Sequence, residues 1–294
     1  FIKNYLPDID KNIQLNNHKI KAIYKNNNFT AEGSGQIKLQ KKFDKINYSI
    51  IKNDKNFSIV SDVLLSQINI KNKKFLEFFF PKIEEKLFLK NHKLRIKFKN
   101  KNISFKGSGE IKLQNKFDKI NYDISKNNNE LKFDTKLNLK NTSFKIDFLN
   151  FESSEKLNTD IRIIGKYDKD KKINLNKVSI NEKDNKIEFK NLILSSKNKI
   201  ISVDKIELNY FDSEDKKNKL AVKRIQNDNY ELKGSVYNAN SIISDLLINS
   251  NDLEKKFFEK DLRLSINIDE VFIDKETMIN NFKGTLYIVN NKLF

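Results

Sequence analysis

Side chains suited to covalent or metal chemistry are scarce in this sequence of 294 residues. It contains no Cys, which excludes disulfides, thiolate nucleophiles and zinc sites built on cysteine. The two histidines, His18 and His92, occupy equivalent positions of an internal repeat, which is more typical of a structural role than of a catalytic one. No HExxH, Walker A, GxSxG or Rossmann glycine pattern is present. The sequence therefore predicts a protein that is not an enzyme, with no metal site and no cofactor.

Two other motifs contain residue types that often bind ligands. The first is the Gly-Ser-Gly element at 33–35, repeated at 107–109. It is not followed by an amphipathic helix, so we predict a β-bulge or a close strand crossing instead of a phosphate-binding loop. The second is the acidic cluster of Asp212, Glu214 and Asp215, which lies among lysines and which we interpret as a solvated turn.

The charge of the chain is strongly basic, with 57 Lys and Arg against 39 Asp and Glu and a net charge of +18. Only four of the basic residues are Arg, the side chain best suited to reading phosphates and bases. The lysines are spread along the whole sequence. We therefore expect no specific nucleic-acid partner, and an anionic membrane surface is an equally suitable partner for this charge.

An internal duplication is the strongest pattern in the sequence. The segment 33–50 returns at 107–124 with 15 of its 18 residues unchanged, at an offset of 74 without a gap. Such self-similarity predicts an architecture in which each unit buries its apolar residues against its neighbours.

Apolar and polar residues alternate strictly along several segments. At 93–99, 130–140 and 262–269, leucines, isoleucines and phenylalanines, with Thr135 at one position, alternate with polar residues that are mostly charged. A period of two puts one set of side chains on each face of a β-strand. Asn-rich turns separate these segments, at a spacing that predicts many antiparallel strands.

We predict an all-β fold, in which a long antiparallel sheet built from repeats is strongly curled into an open groove or taco-like shape. One or two short helices are expected, including one that starts at Ser241 and includes Leu247. The predicted organisation is a single elongated β-repeat domain over 1–294. It comprises a first repeat at 1–74, a second at 75–148 and a divergent remainder at 149–294.

The carboxy-terminal part resembles a recurring block of the AsmA-like superfamily. The block consists of a strand, a short helix with a small polar entry, and two further patterned strands. The segments that carry the resemblance are 230–239, 241–247, 262–271 and 279–286. The block is similar to that of the YhdP branch, which is related to TamB.

This resemblance implies a function and a location. It implies a periplasmic protein of a Gram-negative bacterium, held at the inner membrane through a segment upstream of Phe1. Its β-rich groove would carry phospholipid between the inner and outer membranes, and the family supplies no catalytic residues. Phospholipid acyl chains are therefore the expected partners.

The alternating strands supply the candidate lipid-contacting residues. Stacked repeats would align their apolar sets into one stripe. The candidates are Leu94, Ile96, Phe98, Leu131, Phe133, Leu137, Leu139, Leu262, Leu264, Ile266 and Ile268. The alternative is a structural or adhesin-like scaffold whose apolar face is fully packed, because a closed core and a lipid-lined groove use the same residue types.

Overall fold

The computed structural model describes residues 13–71, 79–80, 83–127, 130–154, 157–168, 172–197, 199–240, 259–274, 276–289 and 292–293. The chain divides into two compact units, 1–142 and 143–294. The boundary lies close to the end of the duplicated sequence. The single elongated domain stays a prediction.

Unit 1 contains eight described strands, each antiparallel to the next along the chain. They are β1 (Gln14–Lys25), β2 (Asn28–Lys38), β3 (Phe43–Lys52), β4 (Phe57–Lys71), β5 (Lys86–Lys99), β6 (Asn102–Lys112), β7 (Phe117–Lys126) and β8 (Glu130–Leu139).

The duplicated sequence forms the same strands twice. The bounds of β2 and β3 recur in β6 and β7 at the offset of 74 residues. The turns recur as well, because Asn26 and Asn27 have φ of 51° and 58°, while Asn100 and Lys101 have φ of 46° and 74°. Positive φ at both residues of a two-residue loop suits the right-handed twist of a β-hairpin, and Asn tolerates it better than most residues.

The two Gly-Ser-Gly elements lie opposite β-bulges, so the prediction made for them is confirmed. Asn17 and His18 of β1 together face Gly35 of β2, and Asn91 and His92 of β5 together face Gly109 of β6. The Asn of each bulge has positive φ, 51° at Asn17 and 54° at Asn91. The extra residue bends the strand and turns the histidine over the glycine.

A buried aspartate accepts backbone hydrogen bonds at the end of the β3–β4 pairing, and its equivalent does so at the end of the β7–β8 pairing. Asp44 accepts hydrogen bonds from the backbone N–H of Ser66 at 2.7 Å and from its hydroxyl at 2.8 Å. Asp118 accepts one from the backbone N–H of Lys140, also at 2.7 Å. These N–H groups would otherwise lose their partners where the ladder is interrupted.

Unit 2 is also built from strands. They are β9 (Lys145–Ile146), β10 (Phe151–Glu152), β11 (Thr159–Asp168), β12 (Ile173–Glu182), β13 (Asn185–Leu194), β14 (Ile200–Ser202), β15 (Lys205–Phe211), β16 (Lys217–Gln226), β17 (Asn229–Asn238), β18 (Leu262–Phe272), β19 (Met278–Val289) and β20 (Lys292–Leu293). A short 3-10 turn, Asp147–Leu149, separates β9 from β10.

The described strands of unit 2 pair antiparallel except β17 and β18, which run parallel. The predicted all-β fold with a mostly antiparallel, open sheet is confirmed. The helix predicted to start at Ser241 lies outside the described residues. Among the residues that the structure does describe, none belongs to a helix with the length and apolar character of a membrane span.

Candidate functional site

Unit 2 contains a row of buried apolar side chains that crosses the sheet perpendicular to its strands. Each member lies directly opposite the next in the strand register. Apart from a glycine on β17, all are between 0% and 7% exposed. This buried row consists of Ile161, Ile180, Ile187, Leu208, Leu220, Gly234 and Ile268.

A second apolar row runs parallel to the first, two residues away along every strand. The period of two places both rows on the same face of the sheet. Its members are also directly opposite one another, but all of them are partly exposed. This open row consists of Ile163, Val178, Phe189, Ile206, Val222, Leu232 and Ile266.

The chain itself provides apolar packing around Tyr210, which is next to Leu208 on the same face of β15. The segment 144–153 contributes buried Phe144, Ile146 and Phe151, and the Phe151 and Tyr210 rings meet edge to face at 5.8 Å. The Tyr210 hydroxyl donates a hydrogen bond to the Leu149 carbonyl at 2.8 Å. Burial raises the pKa of Tyr210, so its hydroxyl keeps the proton that it donates.

Unit 1 has the same arrangement along its strands. Toward the ends that carry the buried aspartates, the apolar side chains are buried, as in Val63, Leu65, Ile111, Leu113 and Leu139. Toward the opposite ends they are partly exposed, and register places them opposite one another in two short rows. These are Ile59, Phe98 and Ile103, and then Ile96, Phe105, Ile124 and Phe133.

The predicted lipid-contacting residues lie on these apolar faces. In unit 1, those on β5 and β8 share one face, because Ile96 is linked to Phe133 through directly opposed residues of β6 and β7. In unit 2, the four on β18 share one face of that strand. Leu139 and Ile268 are buried, at 1% and 3% exposed, and the other nine are partly exposed: Leu94, Ile96, Phe98, Leu131, Phe133, Leu137, Leu262, Leu264 and Ile266.

Most of the open row was missed by sequence reasoning. Alternation was visible at Phe189 and Ile206, but a single strand does not reveal its register with the next. On β11 and β12 the pattern is weaker, because Ile163 is followed by Ile164. Register, which comes from the pairing of strands distant in sequence, is what assembles these residues into one surface.

His92 is a structural residue of the unit 1 core. It is fully buried, with Nε2 3.0 Å from the Glu110 carbonyl oxygen and Nδ1 3.2 Å from the Tyr122 hydroxyl. Burial lowers the pKa of His92 and raises the pKa of Tyr122 to about 12, since it disfavours the charged form of each. Within the described ranges, no three His, Asp or Glu side chains are placed to hold a metal ion.

Ion pairs are found on the opposite face of the strands in both units. In unit 1, the Arg95 guanidinium donates two hydrogen bonds to Asp62, at 2.7 and 2.8 Å, and this lowers the pKa of Asp62. In unit 2, burial of Glu188 favours its protonated form, but the hydrogen bond from Lys190 and the nearby lysines outweigh it and lower the pKa of Glu188. The lysines around Glu188 therefore lie on the face opposite the two apolar rows of unit 2.

The acidic cluster at 212–215 forms a turn in which Glu214 and Asp215 are exposed, as predicted, but Asp212 is buried. Its Oδ1 accepts hydrogen bonds from the backbone N–H groups of Glu214 and Lys216, at 3.0 and 2.9 Å. Its Oδ2 accepts from the side chains of Asn218 and Asn238, at 3.1 and 2.9 Å. These bonds satisfy the carboxylate, which stabilises the turn against the end of β17.

No protein-family model, curated protein or solved structure matches this chain. Function is therefore inferred from the apolar faces and from the sequence resemblance described above.

Proposed function

We propose that the apolar faces bind phospholipid acyl chains and that the chain is the groove-forming part of an AsmA-like, YhdP-type protein. It would act without catalysis, in the periplasm of a Gram-negative bacterium, and carry phospholipid between the inner and outer membranes. The full-length protein would be held at the inner membrane by a segment upstream of Phe1. The observation that carries the proposal is the open row, which leaves seven large apolar side chains partly exposed in one line.

The geometry of this row suits an acyl chain. Each buried CH₂ of a ligand contributes roughly 0.8 kcal/mol whichever apolar side chain it contacts. A line of Ile, Leu, Val and Phe side chains therefore binds a hydrocarbon chain without one deep minimum. Such a surface allows the chain to move along it.

Covering of the apolar face supports a groove, which would form if the sheet curls toward that face. Val63, Leu65 and Ile187 are at most 4% exposed although they belong to a sheet, so other atoms must cover them. The lysine-bearing face remains in water and is available to an anionic membrane surface.

The alternative is a structural or adhesin-like scaffold that has no lipid ligand. The buried row favours it, because these residues form a dry core without any added molecule. Under this alternative, the open row is the incompletely covered margin of that core.

Native mass spectrometry of the purified protein separates the two proposals. We expect co-purified phospholipid on the parent chain and its loss in Ile266→Lys, because binding an acyl chain there would require desolvating the ammonium group. Asn267→Lys, one residue along on the opposite face, is the matched control and should keep the lipid. Absence of phospholipid from the parent protein would leave the scaffold.

A further inference from the structure

Strand β1 exposes large apolar side chains. The equivalent side chains of β5, in the second repeat, are partly buried. Leu15, Ile20 and Tyr24 are 61%, 63% and 71% exposed. The residues 74 positions later, Leu89, Leu94 and Phe98, are all partly buried. Because β1 and β5 are equivalent strands of the two repeats, we attribute this difference in exposure to what lies next to each strand.

The second repeat shows what covers such a strand. β5 lies between β6 and β4, and its register with β4 extends from Lys86 to Lys99. Among the described strands of unit 1, β1 pairs with β2 alone. The outer edge of β1 is therefore the equivalent of the edge through which β5 pairs with β4.

Apolar and charged contacts between β4 and β5 define the kind of strand that fits. Ile59 lies opposite Phe98 and Val63 opposite Leu94 on one face. On the other face, Asp62 lies opposite Arg95 and accepts both of its hydrogen bonds. In β1, Tyr24, Ile20 and Lys21 occupy the positions of Phe98, Leu94 and Arg95.

We infer that the outer edge of β1 is a docking site for an antiparallel strand with the side-chain pattern of β4. That strand carries apolar residues opposite Ile20 and Tyr24 and a carboxylate opposite Lys21. Backbone hydrogen bonds along the edge supply affinity, and the alternating side chains set the register. The inference is independent of whether the apolar faces bind lipid.

Charge favours this occupant over a second copy of β1. Two antiparallel β1 strands would bring Lys19, Lys21 and Lys25 of both copies together along one face. Like charges directly opposite one another destabilise a strand pair. A strand of the β4 type places Asp62 there instead.

A synthetic peptide with the sequence of β4, Phe57–Lys71, tests the inference on the whole chain. We expect saturable binding and slower hydrogen exchange in the amides of β1, with no change in β19, which also exposes apolar residues. The same peptide with N-methyl groups at alternate residues is the control, and it should not bind because it lacks donors for the edge.

A charge exchange tests the register. Lys21→Asp should weaken binding of the peptide about fivefold, the upper range for an exposed ion pair. A peptide carrying Asp62→Lys should regain that affinity on the Lys21→Asp chain.

Three results would overturn the inference. One is no binding of the peptide up to about 1 mM. Another is binding that protects β19 or other strands instead of β1. The third is self-association of the chain through β1, detected as concentration-dependent protection of β1 without peptide, since the occupant would then be a second copy.

Discussion

The buried row and the open row of unit 2 use the same strands and the same kinds of side chain, yet only one of them is closed. Ile268 is 3% exposed and Ile266, two residues earlier on the same face of β18, is partly exposed. Local sequence cannot explain this difference, because both are isoleucines in an alternating strand. The same apolar face therefore contains a packed core and, two residues away along each strand, an accessible surface.

The largest effect should come from a charge placed in the buried row. Ile268→Asp would bury a carboxylate without a partner, and we expect it to lower the free energy of unfolding by about 4 kcal/mol or more. Ile266→Asp should cost about 1–2 kcal/mol, since that carboxylate can reach water. Chemical denaturation of both variants measures the difference. Equal destabilisation would show that the two rows form one core.

A smaller effect is expected from substituting the glycines that face the two bulges. One of them lies against a buried histidine, and the other against a histidine at the sheet edge. A Cβ at Gly109 would lie 2.3 Å from the His92 ring, and one at Gly35 would lie 2.5 Å from the His18 ring. His92 is fully buried, whereas His18 is partly exposed.

We therefore expect Gly109→Ala to destabilise unit 1 by about 2–3 kcal/mol, the range for overpacking a core. Gly35→Ala, the matched control, should cost about 1 kcal/mol or less because the His18 ring can rotate away. Thermal melting of the two variants provides the measurement. A larger loss in Gly35→Ala would contradict the comparison.

The smallest expected effect is a loss of stability at acidic pH. Burial holds the pKa of His92 below its ordinary value of 6.5, so the unfolded chain takes up a proton more readily than the folded one. The contribution of neutral His92 is complete above pH 6.5 and is lost as the pH falls through that value toward the lower folded-state pKa.

We expect the free energy of unfolding to decrease between pH 7 and pH 5, and His92→Gln to remove part of that slope. Urea denaturation at a series of pH values measures both slopes. An unchanged slope in His92→Gln would mean that His92 keeps its ordinary pKa in the folded protein.

Much of the fold was predictable because strand periodicity and turn residues are local. The alternation at 262–269 correctly separates Ile266 and Ile268 from their polar neighbours, and the Gly-Ser-Gly elements correctly predict bulges. The partial exposure of Ile266 was not predictable, because it depends on which distant residues cover each row. Asp212 was assigned to solvent for the same reason, since Asn238, its partner on β17, is 26 residues away.

Photo-crosslinking along β18 tests most directly whether the open row binds lipid. A photoreactive residue would be placed in turn at Ile266 in the open row, at Asn267 on the opposite face and at Ile268 in the buried row, in protein purified with membrane lipid. We predict a phospholipid adduct, identified by mass spectrometry, at Ile266 but not at Asn267 or Ile268. No adduct at Ile266, or an equal yield at Asn267, would contradict the account and leave a β-sheet scaffold without a lipid ligand.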